Sequence, residues 1–209
     1  MRTENRFAIV VITIMVSLFI INTAFSMDCN LIMIILTGGG KLVDVLGASY
    51  YTVYEKFQMY RLISYGYMQP TIWHLLANVY ALWYVGLYLE KNIGMIRLFI
   101  VYHVGMIIAC AAFFLFFPNG YMYGASPAIF CCLGLMATWA VKDRLLLNEY
   151  KSHRGSRYLI CYFVISNFVG LGTFIVHLLG FCVGMVLGIF VKKEKILCLH
   201  VRSFIDKSK

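Results

Sequence analysis

Hydrophobic residues in this chain run in long blocks rather than in the short alternations of a soluble domain. Residues 7–25, 71–89 and 98–117 are each about 20 residues of mostly apolar side chains, the length that carries a helix across a hydrocarbon core of about 30 Å. A fourth block, residues 125–141, is slightly short. The last, residues 158–191, is interrupted only by Gly170, Gly172 and a few small polar residues. Charge decides how that last block divides. Lys142, Arg144, Lys151, Arg154 and Arg157 precede it and Lys192, Lys193 and Lys195 follow it, and positive flanks stay on the cytoplasmic side of a membrane. The chain must therefore cross and return, turning near Gly170-Leu171-Gly172, with spans at 158–170 and 173–191. The pattern predicts an all-α polytopic membrane protein of six transmembrane helices, organised as a single membrane domain over residues 1–209.

Composition agrees: 62% of the residues are hydrophobic and 13% charged, far from the usage of a soluble domain, so the lipid bilayer is the first partner. With both termini cytoplasmic, residues 1–6, 90–97, 142–157 and 192–209 lie inside and hold 15 of the 18 lysines and arginines. Only Lys41, Lys56 and Arg61 fall outside, in the long connection from Met27 to Gln69, whose apolar and tyrosine-rich composition suits the outer membrane interface. Topology and an anionic inner leaflet account for the +9 net charge, and no nucleic-acid partner is called for. The seven cysteines have neither a disulfide framework nor metal-ligand spacing, so no metal is expected. The first span, at 19 residues, is longer than the usual apolar core of a signal peptide and reads as a retained helix.

Polar side chains inside a bilayer are costly, and each is a functional candidate. His153 and His200 fall in cytoplasmic segments and His103 in the inner half of the third span, which leaves His74 and His177 near the outer ends of the second and sixth spans. Ser126 opens the fourth span at the same level. In Ser126-Pro127 the serine is a good helix cap and the proline a good first helical residue, so capping and nucleophilic roles both stand on local grounds. Ser126, Phe130 and Gly134 share one helix face, and His177, Gly180, Gly184 and Gly188 share another. Parallel packing of those faces, with glycine against glycine, would bring Ser126 level with His177; plain glycine packing with an incidental serine and histidine is the alternative. His74 and Asn78 lie one turn apart and could donate to an oxyanion, although an intramembrane asparagine also serves as helix glue.

Other membrane chemistries find less support. The zinc-protease pattern H-E-x-x-H is missing, no aspartate lies in a span, and the outer acids Asp28, Asp44 and Glu55 have no evident tie to His177. A Ser-His pair is the economical unit. A transporter would show charged or discontinuous helices at the midplane, and the chain has none.

The motifs Tyr60-Arg61-Leu62, His74-x-x-x-Asn78, Gly86-x-x-x-Glu90-x-x-x-Gly94-x-x-Arg97, Gly124-x-Ser126 and His177-x-x-Gly180-x-x-x-Gly184 follow one another over about residues 60–190. In order and spacing they resemble the rhomboid intramembrane serine proteases. The resemblance implies a six-helix rhomboid bundle and a cofactor-free endopeptidase that cleaves transmembrane protein substrates near the outer face. Ser126 would be the nucleophile and His177 the base. His74 and Asn78 would form the oxyanion hole with the Ser126 N–H, and Phe130 would pack on the imidazole. Gly124, Gly180 and Gly184 would support the site, and Arg61 and Glu90 match structural polar positions. A bacterial plasma membrane is the expected location. The departure is Pro127, where the family usually has glycine, and the alternative is a catalytically inactive rhomboid-like protein that binds or escorts membrane proteins.

Overall fold

The computed structural model describes residues 6–26, 32, 35–36, 38–143, 148, 154–168 and 170–192. Asp28, Cys29, His153, Cys198 and His200, with the flanking charges Arg144, Lys151, Lys193 and Lys195, lie outside the described residues.

Helix α1 covers Arg6–Phe25. The connection after it is built rather than loose: α2 (Lys41–Leu46), strand β1 (Ala48–Ser49), a π-helical turn (Tyr51–Glu55), α3 (Arg61–Ser64) and a 3-10 turn (Tyr65–Tyr67). Then come α4 (Ile72–Ile93), α5 (Met95–Phe116), strand β2 (Tyr121–Met122), α6 (Ser126–Lys142), α7 (Arg154–Ser166) and α8 (Leu171–Phe190). The strands pair antiparallel, Ala48 with Met122 and Ser49 with Tyr121, which ties the long connection to the segment leading into α6. Helices α1, α4, α5 and α8 are long and apolar enough to cross a membrane, α6 is shorter at 17 residues, and α7 has 13 residues among those described. The protein is an all-α polytopic membrane protein.

The observed helices shift several expected boundaries. The second and third spans run on to Ile93 and back to Met95, so the charged stretch 90–97 is two helix ends around Gly94 rather than a loop. Gly94 makes this turn at φ 79°, which glycine adopts without penalty. Glu90 is buried there, and its carboxylate accepts from the backbone N–H groups of Arg6 (2.9 Å) and Phe7 (3.1 Å). Those donors have no partner within α1, so Glu90 caps it from another helix at the end where the dipole favours an anion. The final pair breaks earlier than expected, with α7 ending at Ser166 and α8 beginning at Leu171.

Helix α6 is the axis of the bundle. Twelve of its residues between Ser126 and Trp139 are buried, so its short length suits a helix surrounded by protein rather than lipid. Against α8 it packs backbone to backbone. A Cβ added at Gly180 would meet the Pro127 carbonyl, one at Gly184 the Cys131 carbonyl, and one at Gly188 first the Thr138 Cβ and then the Leu135 carbonyl. Residue numbers rise together along both helices, so they run parallel as expected. The expected matching of glycine with glycine is corrected: α8's glycines lie against the face Pro127, Cys131 and Leu135, and Gly134 lies against the Phe181 carbonyl. In this arrangement the small residues still let the two backbones approach closely.

Candidate active site

Helix α6 begins at Ser126, with Ala125 as its cap residue, Pro127 in the first turn, and no side-chain capping bond. This removes the reading of Ser126 as a helix cap. Proline fits here because the N–H it lacks has no partner inside the helix. The chain enters through Gly124 at φ 105°, whose N–H donates to the Tyr65 carbonyl at 2.8 Å, and a Cβ at this position would meet the His74 ring. Gly124 is therefore needed twice, for its backbone angle and for the space His74 occupies.

Thr71 caps α4, its hydroxyl accepting from the His74 N–H at 3.1 Å. His74 packs edge-on to Tyr123 with ring centroids 6.2 Å apart. One turn on, Asn78 is fully buried; its amide nitrogen donates to Gln69 Oε1 at 2.8 Å and its oxygen accepts from the Tyr162 hydroxyl at 2.8 Å. A primary amide carries two N–H groups, so one remains after the bond to Gln69.

His177, in the second turn of α8, is 2% exposed. Phe130 stacks on its ring at 4.1 Å and 9°, and its Nδ1 lies 3.0 Å from Asn167 Oδ1 in the turn after α7. Its Nε2 is buried with no hydrogen-bond partner among the described residues. The Ser126–His177 bond is therefore open, and such bonds commonly tighten only when substrate is bound.

The four candidate residues Ser126, His177, His74 and Asn78 meet one cavity. Ser126, His177, His74, Asn78, Tyr162 and Trp73 are among the residues lining a space of about 640 Å³ between the starts of α4, α6 and α8 and the end of α7. Its volume falls within the range of small-ligand pockets, about 300–1,000 Å³. Of the supporting residues, Phe130 and Gly124 touch the two histidines, while Gly180 and Gly184 act one step back by setting the α6–α8 separation.

Three polar residues at the site escaped sequence reasoning. Gln69 and Tyr162 hold Asn78, and Asn167 holds His177. Gln69 sits before Pro70 and reads as loop, Tyr162 reads as one more aromatic in an apolar run, and Asn167 reads as a turn residue. Asn167 is the one that a search for polar atoms near the Gly170 turn could have raised. His103, set aside in the sequence, makes its own local pair, with Nε2 2.7 Å from the Tyr67 hydroxyl and Nδ1 2.8 Å from the Phe99 carbonyl.

The Rhomboid domain family model matches residues 56–194. RHOMBOID-like protein 7 of Arabidopsis thaliana is 30% identical over 146 residues, covering 65% of this chain and 44% of that protein. Rhomboid-like protease 3 of Toxoplasma gondii is 28% identical over 153 residues, covering 72% of this chain and 58% of that protein. Inactive RHOMBOID-like protein 8 of Arabidopsis thaliana is 26% identical over 129 residues, covering 62% of this chain and 36% of that protein. Each match covers less than two thirds of the relative's own length.

Proposed function

The chain belongs to the rhomboid family, and from that premise we propose that it is an intramembrane serine endopeptidase acting on transmembrane protein substrates near the outer membrane face. The observation that carries this reading is the preparation of His177. Its ring is clamped by Phe130, its Nδ1 is engaged, and its buried Nε2 is unengaged in a cavity that Ser126 also lines. That is the state a general base needs before substrate arrives.

In the proposed reaction, His177 Nε2 takes the Ser126 hydroxyl proton as the oxygen attacks the scissile carbonyl. The tetrahedral oxyanion is met by His74, by the remaining Asn78 N–H and by the Ser126 backbone N–H. The imidazolium then returns its proton to the leaving amine, and water releases the acyl group by the same steps in reverse. A substrate helix hides its carbonyls in its own hydrogen bonds, so it must unwind locally, which favours helix-breaking or small residues near the membrane edge. Both termini on the cytoplasmic side would place the cavity at the outer face. A bacterial plasma membrane stays an expectation, since the relatives come from a plant, from Toxoplasma gondii and from Bacillus subtilis.

The test is cleavage of a model transmembrane substrate by the purified protein in liposomes, together with labelling by a serine-directed fluorophosphonate. Ser126→Ala should abolish both, and His177→Ala should abolish cleavage. Normal proteolysis by Ser126→Ala would sink the assignment. A non-proteolytic, substrate-binding role is the second reading, since one relative bears the name inactive. It predicts that the folded wild-type protein is neither labelled nor active.

A further inference from the structure

We infer that Asn167 is a positioning residue for His177, fixing both the tautomer and the rotational state of the imidazole; the inference rests on His177 being the general base. The contact is Asn167 Oδ1 to His177 Nδ1 at 3.0 Å. An amide and an imidazole can each be turned over, so a distance alone does not say which atom donates. A third group resolves it. The other end of the Asn167 amide lies 2.6 Å from the Phe163 carbonyl oxygen. A carbonyl can only accept, so that end must be the NH₂ group and the end facing His177 must be the oxygen. An amide oxygen can only accept in turn, so Nδ1 carries the proton and Nε2 keeps its lone pair. The chain from the Phe163 carbonyl through Asn167 to His177 thus leaves the imidazole able to take a proton at Nε2, its buried and unengaged nitrogen.

Phe130 cannot do this job. Stacking at 9° fixes the plane of the imidazole, but a half-turn of the ring about its own bond to Cβ leaves the plane unchanged. That half-turn would put a carbon where Nδ1 now meets Asn167 and withdraw Nε2 from its present place. Only an in-plane hydrogen bond separates the two states, and Asn167 supplies it. The serine-histidine pair then acts with a neutral third member contributed by the turn after α7. A carboxylate in that place would also orient the ring but would bring a charge to a partly buried position, with a desolvation penalty that the amide avoids.

Two near-isosteric variants separate positioning from mere support. Asn167→Asp keeps an acceptor toward Nδ1 and loses the donor to Phe163; Asn167→Leu keeps the bulk and loses both. Positioning predicts that Asn167→Leu lowers kcat about tenfold, the size of one lost hydrogen-bond preference, with KM unchanged. It predicts that Asn167→Asp retains most of the kcat while melting at a lower temperature, so that activity follows the acceptor and not the stability. With ¹⁵N-labelled histidine, and the His177 signal identified from its loss in His177→Ala, the wild type should show a single Nδ1–H tautomer and Asn167→Leu a mixture. Ser126→Ala and His177→Ala are run beside them. If those two retain cleavage, the dyad reading has failed. If they abolish it while Asn167→Leu keeps wild-type kcat, or while the tautomer is unchanged, the dyad stands and the positioning role of Asn167 is wrong. A loss of activity that tracks melting temperature equally in both variants also overturns it.

Discussion

Replacing Gly184 by alanine tests whether the backbone contact between α6 and α8 sets the reactive geometry. The added methyl would fall on the Cys131 carbonyl oxygen and 2.9 Å from the Cys131 Cα. Carbon atoms in good contact are about 3.5–4.0 Å apart and the Cys131 carbonyl carbon would be only 2.6 Å away, so the helices must separate by at least about 1 Å. The carbonyl lies within α6 and cannot swing aside. Overpacking of this kind costs about 1–3 kcal/mol, offset by at most about 1 kcal/mol from the better helix propensity of alanine. The effect on turnover should be larger than the effect on folding. Gly180 and Gly184 lie one and two turns below His177, and a misplacement of about 1 Å at reacting groups can lower the rate about 100-fold. Gly86→Ala is the control, because its methyl would press on the Ala8 methyl at 2.9 Å and touch Leu82 Cδ1 at 3.5 Å, at the α1–α4 contact away from the cavity. Liposome cleavage rates and thermal unfolding in mild detergent read both quantities. Wild-type turnover in Gly184→Ala, or equal losses in Gly184→Ala and Gly86→Ala, would refute the link between helix separation and the site.

Asn78→Ala should lower turnover about 10- to 1000-fold with KM little changed if Asn78 serves the oxyanion, and should instead lower the melting temperature, leaving the folded fraction active, if it is only helix glue. Tyr162→Phe removes the 2.8 Å bond to Asn78 Oδ1 and should lower stability by about 1 kcal/mol, with less effect on turnover than Asn78→Ala; the reverse order would count against a direct role for Asn78. Arg61 donates to the Asp44 and Gly47 carbonyls and to Gln58 Oε1, so Arg61→Ala should destabilise by about 2–4 kcal/mol and Arg61→Lys should recover little, since an ammonium cannot span the three acceptors; thermal unfolding checks both. For topology, a single cysteine at Asn119 should be labelled by an impermeant maleimide added outside and one at Asp143 only after permeabilisation, and labelling of both from one side would overturn the proposed orientation.

How far the sequence revealed this arrangement follows from which forces write a periodic signal. Lipid and an apolar bundle interior both demand continuous apolar length, so α1 and α6 lie within a residue of the expected spans. Charge was a poorer guide to helix ends. The expected loop at 90–97 is helical up to Gly94 because Glu90 spends its charge inside the bundle as a cap on α1, and a residue's formal charge does not say whether a partner waits for it. The connection after α1 was legible as apolar and tyrosine-rich, but the strand and turns over 41–67 were not. Its strand pair depends on partners more than 70 positions away, such as Tyr121 for Ser49.

The same division runs through the site. Ser126, His177, His74 and Asn78 could be assembled from sequence because all four sit at helix starts or one turn in, where depth can be counted. Gln69 and Tyr162, which hold Asn78, could not, because each acts through a directed hydrogen bond rather than through position on a face, and Asn167 shows in the sequence only as a polar residue near the Gly170 turn. The α6–α8 seam makes the physical difference plain. Helical period identified the stripe Gly180, Gly184 and Gly188, yet the partner stripe on α6 was wrong by one residue, since Pro127, Cys131 and Leu135 offer carbonyls and not side chains. A sequence pattern records side chains, and in this contact the side chain is irrelevant: any residue at 131 presents the same oxygen. It follows that the seam should tolerate Cys131→Ala or Cys131→Ser far better than it tolerates a methyl on Gly184, although both positions are buried in the same interface.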